Sequence, residues 1–194
     1  MKKLAFILLS TLALSCAKQV IQPDTYQSLY DLEYVTTDSG YKYLVPVAHN
    51  SISEETVVSA VTGNGWETKG LYKLGTDKSV IQEVMVDENT ISRVVFSDDG
   101  SKVSTYSLSI KGYETAPFTY HSGDNIIEIP SLWYSSWGGN GRLVSISSST
   151  MVIVCTHDKT TTGEELVFME ILSRVPESTV DSWKETCVYY GLSE

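Results

Sequence analysis

From Trp66 to Val175 the apolar residues of this chain recur with a period of two, and the pattern is cut by turn-forming residues at intervals of roughly 8 to 12 positions. Successive side chains of a strand point to opposite faces, so this period specifies sheet and excludes a helical bundle. The stretch WETKGLYKL sets Trp66, Tyr72 and Leu74 on one face and Glu67, Lys69 and Lys73 on the other. Further strand-like runs are Val80–Val86, Ile91–Ser97, Val103–Ile110, Phe118–His121, Asn125–Ile129, Leu143–Ser147, Met151–Thr156 and Glu165–Val175. The breaks DEN, SDDGS, HSGD, SSS and KTTTG are turn chemistry. The sequence therefore predicts a mainly β, antiparallel up-and-down meander that closes as a barrel or a sandwich. In TMVIVCT both faces are apolar, Met151, Ile153 and Cys155 against Val152 and Val154, so something must cover that strand from outside.

Shorter signals flank the meander. LYDLEYV and YKYLVPV surround TTDSG, a hairpin pattern. Ser53 is a good helix N-cap, Glu54 and Glu55 suit the positive end of the helix dipole, and Val57, Ala60 and Val61 share a face before Gly63. In the tail, Ser178 and Asp181 form a capping-box pattern, and Val180, Trp183, Cys187 and Tyr190 recur at helical spacing up to Gly191. This predicts a helix over 177–190, packed outside the sheet as the cover for the Met151–Thr156 strand.

The first residues carry a different message. Lys2 and Lys3, an apolar core from Leu4 to Leu14 and small residues before Cys16 have the form of a secretion signal, with a core too short to cross a bilayer. The ending resembles the lipobox of bacterial lipoproteins, in which Cys16 becomes the acylated first residue; cleavage by an ordinary signal peptidase at the same bond would leave Cys16 a free thiol. The division is a signal peptide over 1–15, an anchor and tether over 16–27, and a single domain over 28–194 with its core at 53–175. Residues 1–15 hold two of the 14 basic residues and none of the 24 acidic ones, so the remaining 179 residues carry a net charge of about −12. Nucleic acid and anionic lipid are thereby poor partners, and membrane contact falls to the acyl chains.

Acylation of Cys16 leaves Cys155 and Cys187 as an even pair. A bond between them would close a loop of about 33 residues and add about 3 to 4 kcal/mol. The alternative is two buried free thiols.

At Trp66 the chain resembles the lipocalin-like domains of bacterial envelope lipoproteins. The resemblance covers about 53–175 and rests on a short helix, a Trp opening the first strand, VVFSDDGSKVSTYSL, the hairpin FTYHSGDNIIEI and the last strand LVFMEILSRV. Asn64 stands where the Gly of the lipocalin Gly-x-Trp motif would fall. The resemblance implies a barrel preceded by a short helix, and the C-terminal helix read from the tail packs outside it. It also implies that Arg174 of the final strand packs across Trp66, a cation–π closure worth about 0.5 to 2 kcal/mol; a ligand-charge clamp is the sharper role for Arg174.

Catalytic chemistry finds no support in the sequence. His49, His121 and His157 are far apart, and Cys155 with His157 supplies only two metal ligands with no second pair at zinc-site spacing. Nucleophile-elbow, zinc-helix and phosphate-loop patterns are absent, and GGNG at 138–141 lacks the Lys-Ser/Thr of a nucleotide loop. No catalytic residue, metal or cofactor is assigned. The stretch SLWYSSWGGNGRL places Trp133, Tyr134 and Trp137 in a Gly- and Ser-rich connection, either as an aromatic flap that stacks on a ligand or as plugs of the barrel end.

The sequence thus reads as a lipid-anchored envelope protein, expected at the periplasmic face of the outer membrane, whose barrel binds a small apolar or amphipathic ligand. The alternative is a non-catalytic accessory protein with a solid barrel that acts through protein contacts.

Overall fold

The computed structural model describes residues 32–36, 42–46, 51–74, 81–88, 90–129, 140–159 and 165–190. In chain order these form β1 (Leu32–Thr36), β2 (Lys42–Pro46), α1 (Glu54–Val61), β3 (Gly65–Leu74), β4 (Ile81–Val84), β5 (Arg93–Phe96), β6 (Lys102–Ser107) and β7 (Gly112–Pro117). There follow β8 (Thr119–His121), β9 (Ile126–Glu128), β10 (Asn140–Ile146), β11 (Thr150–Lys159), β12 (Glu165–Val175), α2 (Glu177–Thr186) and β13 (Val188–Tyr189).

β1 and β2 form the antiparallel hairpin that the sequence predicts. All other strands share one sheet. On one side β3 pairs with β5, followed by β6 and β7; on the other it pairs with β12, followed by β11, β10, β9 and β8. β7 and β8 are two halves of one bent strand, separated only by Phe118, whose N–H donates to the Ser101 carbonyl at 2.9 Å. The first half pairs with β6 and the second with β9. The pairings therefore run round a ring of eight strands, and the meander is an up-and-down, lipocalin-like barrel rather than a sandwich.

Burial agrees with the ring. A single apolar cluster takes Trp66, Phe96, Val103, Ala116, Ile127, Leu143, Ile153 and Leu172, one from each of the eight strands. Val57 and Val61 of α1 belong to the same cluster, so α1 closes this end as a base. The helix forms as its sequence predicts: Ser53 Oγ accepts from Thr56 N–H at 3.2 Å, and the chain leaves through Gly63 at φ +65°. Just before the helix, Asn125 Oδ1 accepts from Ile52 N–H at 2.8 Å and from the Tyr120 hydroxyl at 3.0 Å, fastening the β8–β9 turn to the base. At the opposite end β9 ends and β10 begins.

Four expectations are corrected. Strict alternation from Trp66 would keep Tyr72 on the inner face. Instead the β3–β12 register slips between Ile171 and Leu172, so Leu71 is the buried residue, and Tyr72 packs on the outer cluster of Val152, Val154, Val167 and Met169. A bulge exchanges the faces of every residue beyond it. β7 was absent from the predicted strands, because Gly112 and Pro117 bound it and its inward residues include Glu114.

The cover over β11 is also not the expected one. Both faces of β11 are buried, Met151 and Ile153 inward, Val152 and Val154 outward. The outer face is approached by β2, which lies against β11 and neighbours β10 and β12. α2 instead packs Val180, Trp183 and Cys187 on Val95, Tyr106, Leu108 and Tyr113, the outer wall of β5–β7. Its path is set where it starts: Val175 is the register partner of Gly65, and a Cβ at Gly65 would lie 2.3 Å from Val180 Cγ2. Only glycine lets the helix cross β3 this closely.

Finally, α2 is shorter than predicted and its capping box does not form. Pro176 is the N-cap and Ser178 lies inside the helix, which ends at Thr186. Beyond Cys187 the open edge of β7 offers backbone partners: Val188 N–H donates to the Lys111 carbonyl at 3.0 Å and Tyr190 N–H to that of Tyr113 at 2.7 Å. Sheet pairing replaces the last helical turn.

Candidate functional site

Above the apolar base the inward side chains turn polar. Val94 is the register partner of Trp66 on one side and of Thr105 on the other, and Thr105 is in turn the partner of Glu114. Register partners share a face, so Trp66, Val94, Thr105 and Glu114 form one row across β3, β5, β6 and β7 on the inner wall. Thr68, two residues after Trp66, and Glu170, two before Leu172, add a second polar pair. Thr68 Oγ1 donates to Glu170 Oε1 and accepts from Ser92 N–H at 2.7 Å, tying β3 to β12 and to the approach to β5. All of these residues are buried.

Two polar atoms in the row have no hydrogen-bond partner, Trp66 Nε1 and Thr105 Oγ1, and both residues are 0% exposed. A buried donor without a partner costs about 1 to 3 kcal/mol, and such groups are rare enough in native proteins to ask for a cause. The buried guanidinium of Arg93 is partnered by contrast. Arg93, on the outer face, donates Nε to Glu67 at 3.2 Å and its two terminal nitrogens to Glu88 at 3.1 and 2.9 Å.

Arg174 is the direct cross-strand partner of Trp66. Trp66 is wholly buried, whereas Arg174 is exposed at the base rim. There it borders two hollows, of about 680 Å³ and about 400 Å³. The larger lies outside the barrel between α2 and β5–β7, with Lys102, Lys184, Asp98 and Glu177 among its walls.

Cys187 is a buried free thiol, its Sγ 3.6 Å from the Ser107 carbonyl oxygen. Burial pushes its pKa up, opposed by the charge of Arg93. Cys155 lies on β11, whereas Cys187 lies between α2 and β13. Trp133, Tyr134, Trp137 and Cys16 lie outside the described residues. His121 Nε2 is 3.4 Å from Glu128 Oε2. Among the described residues no three His, Cys, Asp or Glu side chains are grouped to hold a metal ion, and no helix is long and apolar enough to cross a membrane.

Sequence reasoning did not single out Thr68, Thr105, Glu114 or Glu170. Glu170 had a usable signal, as the charged residue inside the apolar run LVFMEIL. Glu114 had none while β7 went unseen.

No family model matches the chain. No curated protein matches it either. Solved structures similar to it include the odorant-binding protein from bovine nasal mucosa, at 15% identity over 72% of this chain and 86% of that one, with a TM-score of 0.35. Bovine odorant-binding protein in complex with a selenium-containing odorant gives 16% identity over 72% and 87%, with a TM-score of 0.34. The siderocalin Ex-FABP, described as functioning through dual ligand specificities, gives 15% over 63% and 82%, with a TM-score of 0.34. These likenesses are loose, and the fold stands on the strand pairings.

Proposed function

We propose that this protein is a non-catalytic, lipid-anchored envelope protein whose barrel takes up a small apolar or amphipathic molecule from the mouth side. The observation that carries the reading is the change of the inner wall along the barrel axis. α1 and one residue from each strand fill the base with apolar side chains, whereas the next layer holds Thr68, Thr105, Glu114 and Glu170. A barrel that only had to be solid would be filled with apolar residues throughout, since each buried polar group adds a desolvation cost. Small-molecule sites combine apolar walls with a few placed polar groups. The layer is closed to solvent in this structure, so a guest displaces the side chains above it. In this reading the aromatic stretch at Trp133, Tyr134 and Trp137, between β9 and β10 in the sequence, contributes to entry. Cys16 carries the acyl chains at the periplasmic face of the outer membrane.

The test is mass spectrometry of an organic extract of protein purified from its own host's envelope, beside a variant with Trp133 and Trp137 changed to Ala. A stoichiometric small molecule in the first and not the second supports binding. Clean extracts from both would favour the accessory reading. That reading has its own support: Ile110, Val188, Tyr189 and Tyr190 are exposed around β13, apolar surface suited to a protein contact.

A further inference from the structure

The row Trp66, Val94, Thr105 and Glu114 says more than that a guest enters. Trp66 Nε1 can only donate a hydrogen bond, and the Thr105 hydroxyl can donate or accept. Neither has a partner, and neither residue has any exposed surface to share with water. They stand two strand spacings apart, about 10 Å between backbones, with Val94 between them in the row. The same wall brings in two acidic side chains, Glu114 as the register partner of Thr105 and Glu170 beside Thr68. A carboxylate entering this buried space would lose its hydration and need a cation to offset the loss, whereas a neutral head group needs only a donor.

We infer that the barrel selects a neutral amphipathic ligand bearing a hydroxyl or carbonyl group, which accepts from Trp66 Nε1–H or Thr105 Oγ1–H, and rejects the matching carboxylate. This rests on the reading of the barrel as a binding site and adds the polarity of what it binds. An apolar tail lies toward the mouth or against the base cluster, and the acceptor takes up donors that a purely apolar guest would leave unpaired.

The experiment is competition against N-phenylnaphthylamine fluorescence in the full-length protein, using decanol and decanoate at the same slightly alkaline pH. Decanol should displace the dye about tenfold more effectively than decanoate, the discrimination expected when one ligand brings a neutral acceptor to a buried donor and the other must bury a charge. Thr105→Val, which keeps the shape and removes the hydroxyl, should weaken decanol by about threefold to tenfold when its affinity is corrected for the variant's own affinity for the dye. Trp66→Phe should act in the same direction; if it unfolds the barrel, the Thr105 variant decides alone. Equal displacement by the two ligands, tighter binding of decanoate, or an unchanged decanol affinity in Thr105→Val would overturn the inference while leaving the barrel a binding protein. Failure of the wild type to bind the dye or either ligand would overturn the binding reading itself, and this inference with it.

Discussion

Trp66 and Arg174 face each other directly across the β3–β12 ladder, the first strand of the ring against the last, one side chain fully buried and the other exposed. The pair thus sits at the seam where the barrel closes, and the two members should differ in energetic weight. Trp66 belongs to the base cluster with residues of the other seven strands of the ring, so Trp66→Ala should cost about 3 to 5 kcal/mol. Arg174→Ala removes a solvent-exposed guanidinium and should cost no more than about 1 kcal/mol, the low end of a cation–π contact. Urea denaturation midpoints measure both. Equal losses would mean that the guanidinium is structurally as important as the indole ring.

Cys187 offers a chemical check on the wall that carries α2. Its thiol is free, buried against Tyr106, Val180 and Trp183, and held above the ordinary thiol pKa by burial. An aromatic disulfide reagent should therefore react slowly with it in native protein near neutral pH. It should react fully once the protein is denatured, with no reductant added. A requirement for prior reduction would show that Cys187 is bonded to Cys155 after all.

The alkaline limit of stability follows from two tyrosines. Burial pushes the hydroxyls of Tyr106 and Tyr120 up to about 12, in the first case helped by Tyr113 and Cys187 and in the second by Asp124. The folded state then holds these protons more tightly than the unfolded chain, whose tyrosines titrate near pH 10. The contribution is complete below about pH 10 and is lost as pH rises toward 12. Denaturation midpoints should fall over that window, and Tyr106→Phe should flatten the fall. A Tyr106→Phe profile as steep as the wild type would show that its proton is not linked to folding.

The anchor is tested separately from the barrel. If Cys16 carries the acyl chains, Cys16→Ser should move the protein from the membrane fraction to the soluble periplasmic fraction, because the acidic chain has no electrostatic hold on anionic lipid. Continued sedimentation with membranes would point to a hold elsewhere in the chain.

How legible all this was in the sequence depended on whether a feature was local. The Ser53 cap, the β1–β2 hairpin and the bounds of β12 follow from neighbouring residues and could be read directly. The position of Tyr72 could not, because the bulge that turns it outward is a property of the pairing with Ile171 and Leu172, about a hundred residues away. The end of α2 was misread for a similar reason: Val188 and Tyr189 are drawn out of the helix by the free edge of β7, a strand that the pattern had concealed. The polar layer suffered most. Thr105 is an ordinary strand threonine in sequence, and only the register that aligns it with Val94 and Glu114 marks it as an inner-wall residue.

Gly65 gives the sharpest test of how α2 reaches its wall. It opens β3 opposite Val175, and a methyl group there would sit 2.3 Å from Val180 Cγ2 and 3.1 Å from Val175 Cγ2. Neither neighbour can withdraw easily, since Val180 is buried in the cluster that holds the helix down. Gly65→Ala should therefore destabilise by about 1 to 3 kcal/mol through overpacking. Val180→Ala alone should also destabilise, by removing buried methyl groups. Combined in one chain the two changes should cost less than the sum of their separate effects, because the new methyl occupies the space that the valine vacates. Strict additivity in the double-mutant cycle would mean that the helix does not pass over β3 at this glycine, and that another contact sets its course.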